Sequence, residues 1–256
     1  MTTAVRDAEV AGLFYPAGAR ELRIAVRGLL ADAKAKCMSP KALILPHAGY
    51  LYSGPVAASG YACVQGAAIE RVVLLGTAHR YQGPGLASHN AGHFVTPLGS
   101  VPIDHAVFPL PHTERIDDAH AGEHSLEVHL PFLQVALGEF KLVPMVVGEA
   151  EPAEVADVLE KLWGGPETLI VVSSDLSHYH EYAVAKELDA GTAAAIEEKI
   201  YGAVGPRQAC GFRAIAGLLE VARRKGLDVR CLDLRNSGDI AGSRDEVVGY
   251  GAFAVS

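Results

Sequence analysis

Four uninterrupted apolar runs constrain this chain more than any other feature: KALILP at 41–46, ERVVLLG at 70–76, FKLVPMVV at 140–147 and TLIVVS at 168–173. A strand with one face in water alternates apolar and polar residues, whereas a strand covered on both faces has no need to. Each run is short and stops at proline, glycine or polar residues, as buried strands do. The stretches between them carry helical spacing instead. Residues 19–35 place Leu22, Ala25, Val26, Leu29 and Leu30 three and four apart, and 54–65, 152–163 (with the single Trp163), 183–198 and 211–225 also read as helices. Residues 228–234 and 246–254 read as closing strands, and the Gly- and Pro-rich segment 84–103 as a hairpin excursion. Strands alternating with helices and covered on both faces predict a single-domain three-layer α/β/α sandwich, with a mainly parallel or mixed central sheet.

The 256 residues, half of them hydrophobic, suffice for one sizeable core, and no repeat or linker divides them. Lys and Arg number 22 against 30 Asp and Glu, and the one dense basic cluster, Arg223-Arg224-Lys225, falls where a helix should end and can complement its dipole. With no basic stripe to neutralise phosphates, a nucleic-acid partner is not expected. No apolar segment reaches the roughly 18 to 20 residues of a membrane span. Cysteines 37, 63, 210 and 231 form no CxxC pair and nothing at the start resembles a signal peptide, so the expectation is a cytoplasmic protein with free thiols. Cys37, Cys63 and Cys231 fall in helical or strand-like runs and read as packing residues. Cys210 directly precedes Gly211 and a helix start, a location that favours the thiolate and hence metal binding or reactivity.

The eleven histidines matter by position. His47 follows KALILP, His79 follows RVVLLGTA, and His178 follows TLIVVSSDLS, so three strands each deliver an imidazole near the carboxyl edge where open α/β sheets build their sites. Pro46 and Gly49 bracket His47. In SSDLSH, Asp175 either orients an imidazole or accepts a proton, or forms an Asx turn. The segment EHSLEVHLP at 123–131 resembles the zinc motif HExxH, but His124 and His129 are five apart, about 140° round a helix, and cannot share an ion from one face. There Ser125 reads as a helix N-cap with Glu127 in the first turn, His124 as a residue able to point into a cleft, and His129 as a packed or surface residue.

Taken together, PHAGYLYSG at 46–54, GTAH at 76–79, TPLGSVPID at 96–104, EHSLEVHLPFL at 123–133, VVSSDLSHY at 171–179 and ACGF at 209–212 resemble the Memo family, also called AmmeMemoRadiSam system protein B, which is related in fold to class III LigB-like extradiol dioxygenases. The motifs occur in order and span nearly the whole chain. The resemblance implies one α/β/α domain whose cleft holds a metal on His47, His79 and Cys210, where the dioxygenases use two histidines and a carboxylate. It further implies that His178 matches a catalytic base and that Asp175, His124, Tyr50 and Arg80 belong to the same cleft. In one departure, Arg80 follows His79 where some family members have a second histidine. The family name also implies radical-SAM and AMMECR1-like partners, although this chain has no CxxxCxxC cluster motif of its own.

A thiolate in place of a carboxylate makes the expected site softer, suited to copper as Cu(I), zinc or thiolate-bound iron. The leading expectation is a metal-binding protein with a dioxygenase-type cleft, an oxidoreductase on an unidentified small molecule. The alternatives are a non-catalytic module taking a peptide or partner protein in the same pocket, for which the cationic donors nearest the histidine motifs are Arg80 and Arg213, and a Cys210 nucleophile activated by a cleft histidine.

Overall fold

The computed structural model describes residues 4–34 and 39–256. In chain order its strands are β1 (Val5–Arg6), β2 (Ala42–Leu45), β3 (Arg71–Thr77), β4 (Leu86–Ser88), β5 (His93–Thr96), β6 (Gly99–Pro102), β7 (Thr113–Arg115), β8 (Lys141–Val147), β9 (Thr168–Ser173), β10 (His178–His180), β11 (Val229–Asn236) and β12 (Val247–Val255). The α-helices are α1 (Ala19–Asp32), α2 (Tyr50–Tyr61), α3 (Leu130–Leu137), α4 (Pro152–Leu162), α5 (Tyr182–Glu197), α6 (Phe212–Lys225) and the single turn α7 (Ser237–Ile240). The main sheet runs β10-β12-β2-β9-β3-β8-β4-β7, with β11 also paired to β12. β2, β9, β3 and β8 are mutually parallel, whereas β12 and β4 run antiparallel to their inner neighbours. The four apolar runs are therefore the four parallel strands at the centre, and the sheet is mixed.

Side-chain parity along these strands divides the interior in two. Leu43, Leu45, Val72, Leu74, Leu142 and Val171 join the core under α1, α2 and α3. Their sequence neighbours Ala42, Ile44, Val73, Leu75, Val143 and Val172 join the core under α4, α5 and α6. Successive Cβ atoms on a strand point to opposite faces, so an unbroken apolar run feeds both layers at once. Each of these leucines, valines and isoleucines is fully buried and contributes on the order of 1.5–3 kcal/mol. The expected three-layer arrangement is the observed one. α6 ends as expected, with Arg223, Arg224 and Lys225 in its last turn and Gly226 in the left-handed conformation (φ 65°) that closes a helix.

Three local expectations need correction. Segment 84–103 is not one hairpin: β4 joins the main sheet, while β5 and β6 pair with each other and, through β5, with β1 in a separate three-stranded sheet. Ser125 caps no helix; its hydroxyl donates to the Thr77 carbonyl (3.0 Å), and α3 starts only at Leu130 after a 3-10 turn at Glu127–His129. Pairing with strand β3 thus displaces the local capping preference. Cys63 is disulfide-bonded rather than free, whereas Cys210 and Cys231 are free. Spacing in sequence could not foresee this, because a disulfide requires only that two Cα atoms lie within roughly 4.4–6.8 Å. The packing role expected of Cys37 lies outside the described residues. Among the described residues, no helix is long and apolar enough to cross a membrane.

Candidate metal centre

The order β2-β9-β3 sets three parallel carboxyl ends side by side, and the site is built on that edge. His47 lies two residues past β2 and is almost fully buried; His79 lies two past β3 and is partly exposed. Cys210 arrives from the opposite layer, in the loop leading to α6. It is tied to the end of β9 in both directions: its N–H donates to the Asp175 carbonyl (3.2 Å), and the Asp175 N–H donates to its Sγ (3.3 Å). Gly211 permits this approach, since a Cβ there would come within 2.6 Å of the Ser173 carbonyl oxygen.

The result is a compact donor set. Sγ of Cys210 lies 3.4 Å from Nε2 of His47, the rings of His47 and His79 stand perpendicular with centroids 5.2 Å apart, and one ligand atom from each of the three residues falls within 4.8 Å of the others. Both imidazoles are held from behind. Nδ1 of His79 donates to Oε1 of Glu123 (2.9 Å), whose oxygens also accept the backbone N–H groups of His79 (2.9 Å) and Ser125 (2.8 Å). Nδ1 of His47 meets Oγ of Ser173 (2.7 Å), and the His47 backbone N–H donates to Oδ1 of Asp175 (2.8 Å). Each ring therefore offers Nε2 to the common point, the arrangement in which carboxylates and hydroxyls orient metal-ligating histidines. A second group, His79, Glu123 and His124, has similar spacing, but Glu123 is already engaged by three N–H donors and reads as support.

The electrostatics suit a metal bound through sulfur. Burial by itself would raise the Cys210 thiol, but His47 and His79 outweigh it and bring the pKa down to about 5. Burial opposes charge on His79 as well, yet its bonds to Cys210 and Glu123 lift it to about 10. His47 is likewise raised, the Cys210 and Asp175 charges overcoming complete burial. Without metal, a thiolate thus faces imidazolium rings. A cation accepted here replaces their protons, so binding releases protons to solvent.

The other residues named from sequence are placed as follows. His124 is half-buried, stacked on His79 at 4.7 Å and packed on Phe14 at 4.6 Å; burial, with His47 and His79 alongside, lowers its pKa to about 4. Asp175 borders the cluster, with Oδ2 3.9 Å from Nε2 of His47. Arg80 is exposed, its guanidinium lying against Gly122. Tyr50 is buried, donates its hydroxyl to the Val128 carbonyl (2.6 Å) and packs on Phe132. His178 belongs to β10, its ring meets Tyr179, and it is outside the three-residue donor group.

Sequence reasoning assigned no role to Ser173, Glu123 or Tyr61, and placed His129 only as packed or surface. A signal was present: Glu123, Ser125, Glu127 and His129, every second residue, are all buried polar side chains. Glu127 collects Arg6 (2.9 Å), the backbone N–H groups of Glu9 and Val10, and the Tyr15 hydroxyl, clasping the N-terminal segment that brings Phe14 over His124. A cavity of about 320 Å³ opens beside Cys210, lined also by Thr77, Tyr81, Glu149 and Arg213.

Known proteins bear out the resemblance to the Memo family. The family described as Memo-like protein matches residues 6–254. A MEMO1 family protein of Aquifex aeolicus is 36% identical over 265 residues, covering 96% of this chain and 97% of the relative. One from Aeropyrum pernix is 35% identical (98% and 99% covered), and one from Thermotoga maritima 34% (96% and 97%).

Proposed function

The chain belongs to the Memo-like protein family, and from that premise we propose that it binds a soft metal ion through His47, His79 and Cys210 and uses it as an oxidoreductase on a small molecule admitted by the adjoining cavity. The observation that carries this reading is the convergence of two buttressed imidazole nitrogens and a low-pKa thiolate on one point. Two nitrogens and one sulfur fit Cu(I), Zn or thiolate-bound iron better than a hard cation, and three protein ligands leave positions for a substrate. When bound, such an ion would supply Lewis acidity or, for copper and iron, electron transfer.

The chain's own groups do the rest. Glu123 and Ser173 hold the two rings in place, and Asp175 holds the His47 backbone. His124, neutral near pH 7, stands beside the cluster and can take a proton from a ligand in the cleft. The role of proton carrier expected of His178 now rests on the family resemblance. A second reading, a binding pocket without turnover, draws support from Arg213, which lines the cavity and has no ion-pair partner among the described residues.

The test is anaerobic loading with Cu(I), Zn(II) and Fe(II), measurement of stoichiometry, and then oxygen uptake with a panel of catechols. We expect one ion per chain, lost on Cys210→Ala substitution. A protein that binds none of the three overturns the metal centre. Binding without turnover on any substrate removes the oxidoreductase and leaves the second reading.

A further inference from the structure

Behind His47 runs a buried hydrogen-bonded chain in which every proton can be assigned. Oγ of Ser173, fully buried at the end of β9, has three partners: the Ser125 carbonyl (2.6 Å), Nε2 of His129 (2.8 Å) and Nδ1 of His47 (2.7 Å). A carbonyl only accepts, so the single hydroxyl proton of Ser173 goes to Ser125. Both histidines must then donate to Oγ. For His129 this leaves Nδ1 as an acceptor, and the Tyr61 hydroxyl donates to it at 2.8 Å. Direction therefore propagates without conflict from Tyr61 through His129 to Ser173, and Nδ1 of His47 carries a proton.

The elements that meet here are distant in sequence: Tyr61 ends α2, His129 precedes α3, Ser173 ends β9 and His47 follows β2. All four side chains are essentially out of water, His129 being 1% exposed. Burying a histidine of this kind is unfavourable unless its nitrogens are paired. That His129 is buried with both nitrogens satisfied points to a purpose at the far end of the chain.

We propose that Ser173 and His129 are positioning residues for the metal centre: together they pin His47 in the tautomer and ring orientation that present Nε2 to the ion. This rests on the metal-binding reading above and extends it to residues that would touch neither ion nor substrate. Ser173 also joins the two halves of the site, because its hydroxyl fixes the Ser125 backbone whose N–H donates to Glu123, the carboxylate behind His79. One hydroxyl thereby restrains both ligating imidazoles.

The experiment compares Co(II) and Zn(II) affinity, and the Co(II) visible spectrum, in the unaltered chain and in Ser173→Ala, His129→Leu, His129→Gln and Tyr61→Phe. Outer-shell partners of metal-bound histidines are worth roughly 10- to 100-fold in affinity. Ser173→Ala and His129→Leu should weaken binding by that factor and shift the Co(II) d–d bands while retaining the thiolate charge-transfer band of Cys210. His129→Gln, which keeps an N–H donor toward Ser173, should restore most of the affinity and the spectrum. Tyr61→Phe, at the far end, should have the smallest effect. Were Ser173→Ala not to fold, the contrast between His129→Leu and His129→Gln decides the matter. Unchanged affinity and spectrum in His129→Leu overturn the positioning role alone; absence of metal binding in the unaltered chain overturns it together with the metal centre.

Discussion

Two histidines in this molecule, His79 and His120, have opposite electrostatic fates. At the carboxyl edge of the sheet, His79 faces the Cys210 sulfur and the Glu123 carboxylate, and its pKa rises to about 10. Under the N-terminal segment, His120 is 1% exposed, donates Nε2–H to the Ala87 carbonyl (2.9 Å) and contacts the rings of His89 (5.1 Å) and Phe94. Burial, with His89 and Arg6 nearby, drives its pKa down to about 3. The residue type is the same, and burial opposes the charged form in both, more completely at His120 than at the partly exposed His79. What differs is the strength of the anionic partners: hydrogen bonds to Cys210 and Glu123 hold the proton on His79, whereas at His120 the more distant Asp117 does not offset burial and the ring stays neutral. Only the first therefore combines charge with open ligand positions.

Removing the cation beside His120 tests the comparison most severely. Arg6 forms a buried ion pair with Glu127, and truncating one partner of such a pair costs about 3–5 kcal/mol. Arg6→Ala should lower the unfolding free energy by that amount in urea titrations, and should raise the His120 pKa in variants that still fold. The opposite manipulation removes the anion at the sheet edge. In Cys210→Ser, metal affinity should fall by more than the roughly 100-fold that an outer-shell partner can supply, and His79 should titrate closer to its ordinary value by NMR. A His79 that still titrates near 10 in this variant would assign the shift to Glu123 alone.

Acid stability tests the comparison next. His120 and His129, both with pKa near 3 in the folded chain and about 6.5 when unfolded, are protonated first in the unfolded state. Their contribution is complete above pH ~6.5 and is lost as pH falls from there toward 3, by about 1.4 kcal/mol per pH unit for each group. His120→Gln should flatten that dependence; an unchanged slope would place the effect elsewhere. The smallest effect expected is kinetic. Cys210, at about 5, is a thiolate at pH 7, whereas burial, with Glu197 nearby, pushes Cys231 up to about 11. Iodoacetamide should alkylate Cys210 about tenfold or more faster, the low intrinsic nucleophilicity of an acidic thiol offsetting part of its thiolate advantage. Bound Zn(II) should abolish the difference.

Much of the framework was legible before any coordinates. Strand β9 occupies the very residues of the TLIVVS run, and β2, β3 and β8 differ from theirs by a residue or two at the ends. These are local patterns, set by which side chains tolerate burial on two faces. His47, His79 and Cys210 were legible too, because each sits at an element boundary where a polar side chain is otherwise unexplained. Their meeting was an expectation drawn from resemblance, and the ligand atoms do lie within 4.8 Å of one another.

What the chain determined alone was periodicity: the alternation of strands and helices, the two-sided burial of the sheet, and the ends of strands where imidazoles could gather. The tertiary structure decided the partners. That Glu123 stands behind His79, that Ser173 meets His129 across 44 residues and His47 across 126, that Glu127 reaches back 121 residues to Arg6, and that Cys63 is oxidised all depend on strand order and on loops packed against each other. Periodicity is written within a few neighbouring residues. A hydrogen bond between distant segments is specified only when the whole sheet has set their separation and their distance from water.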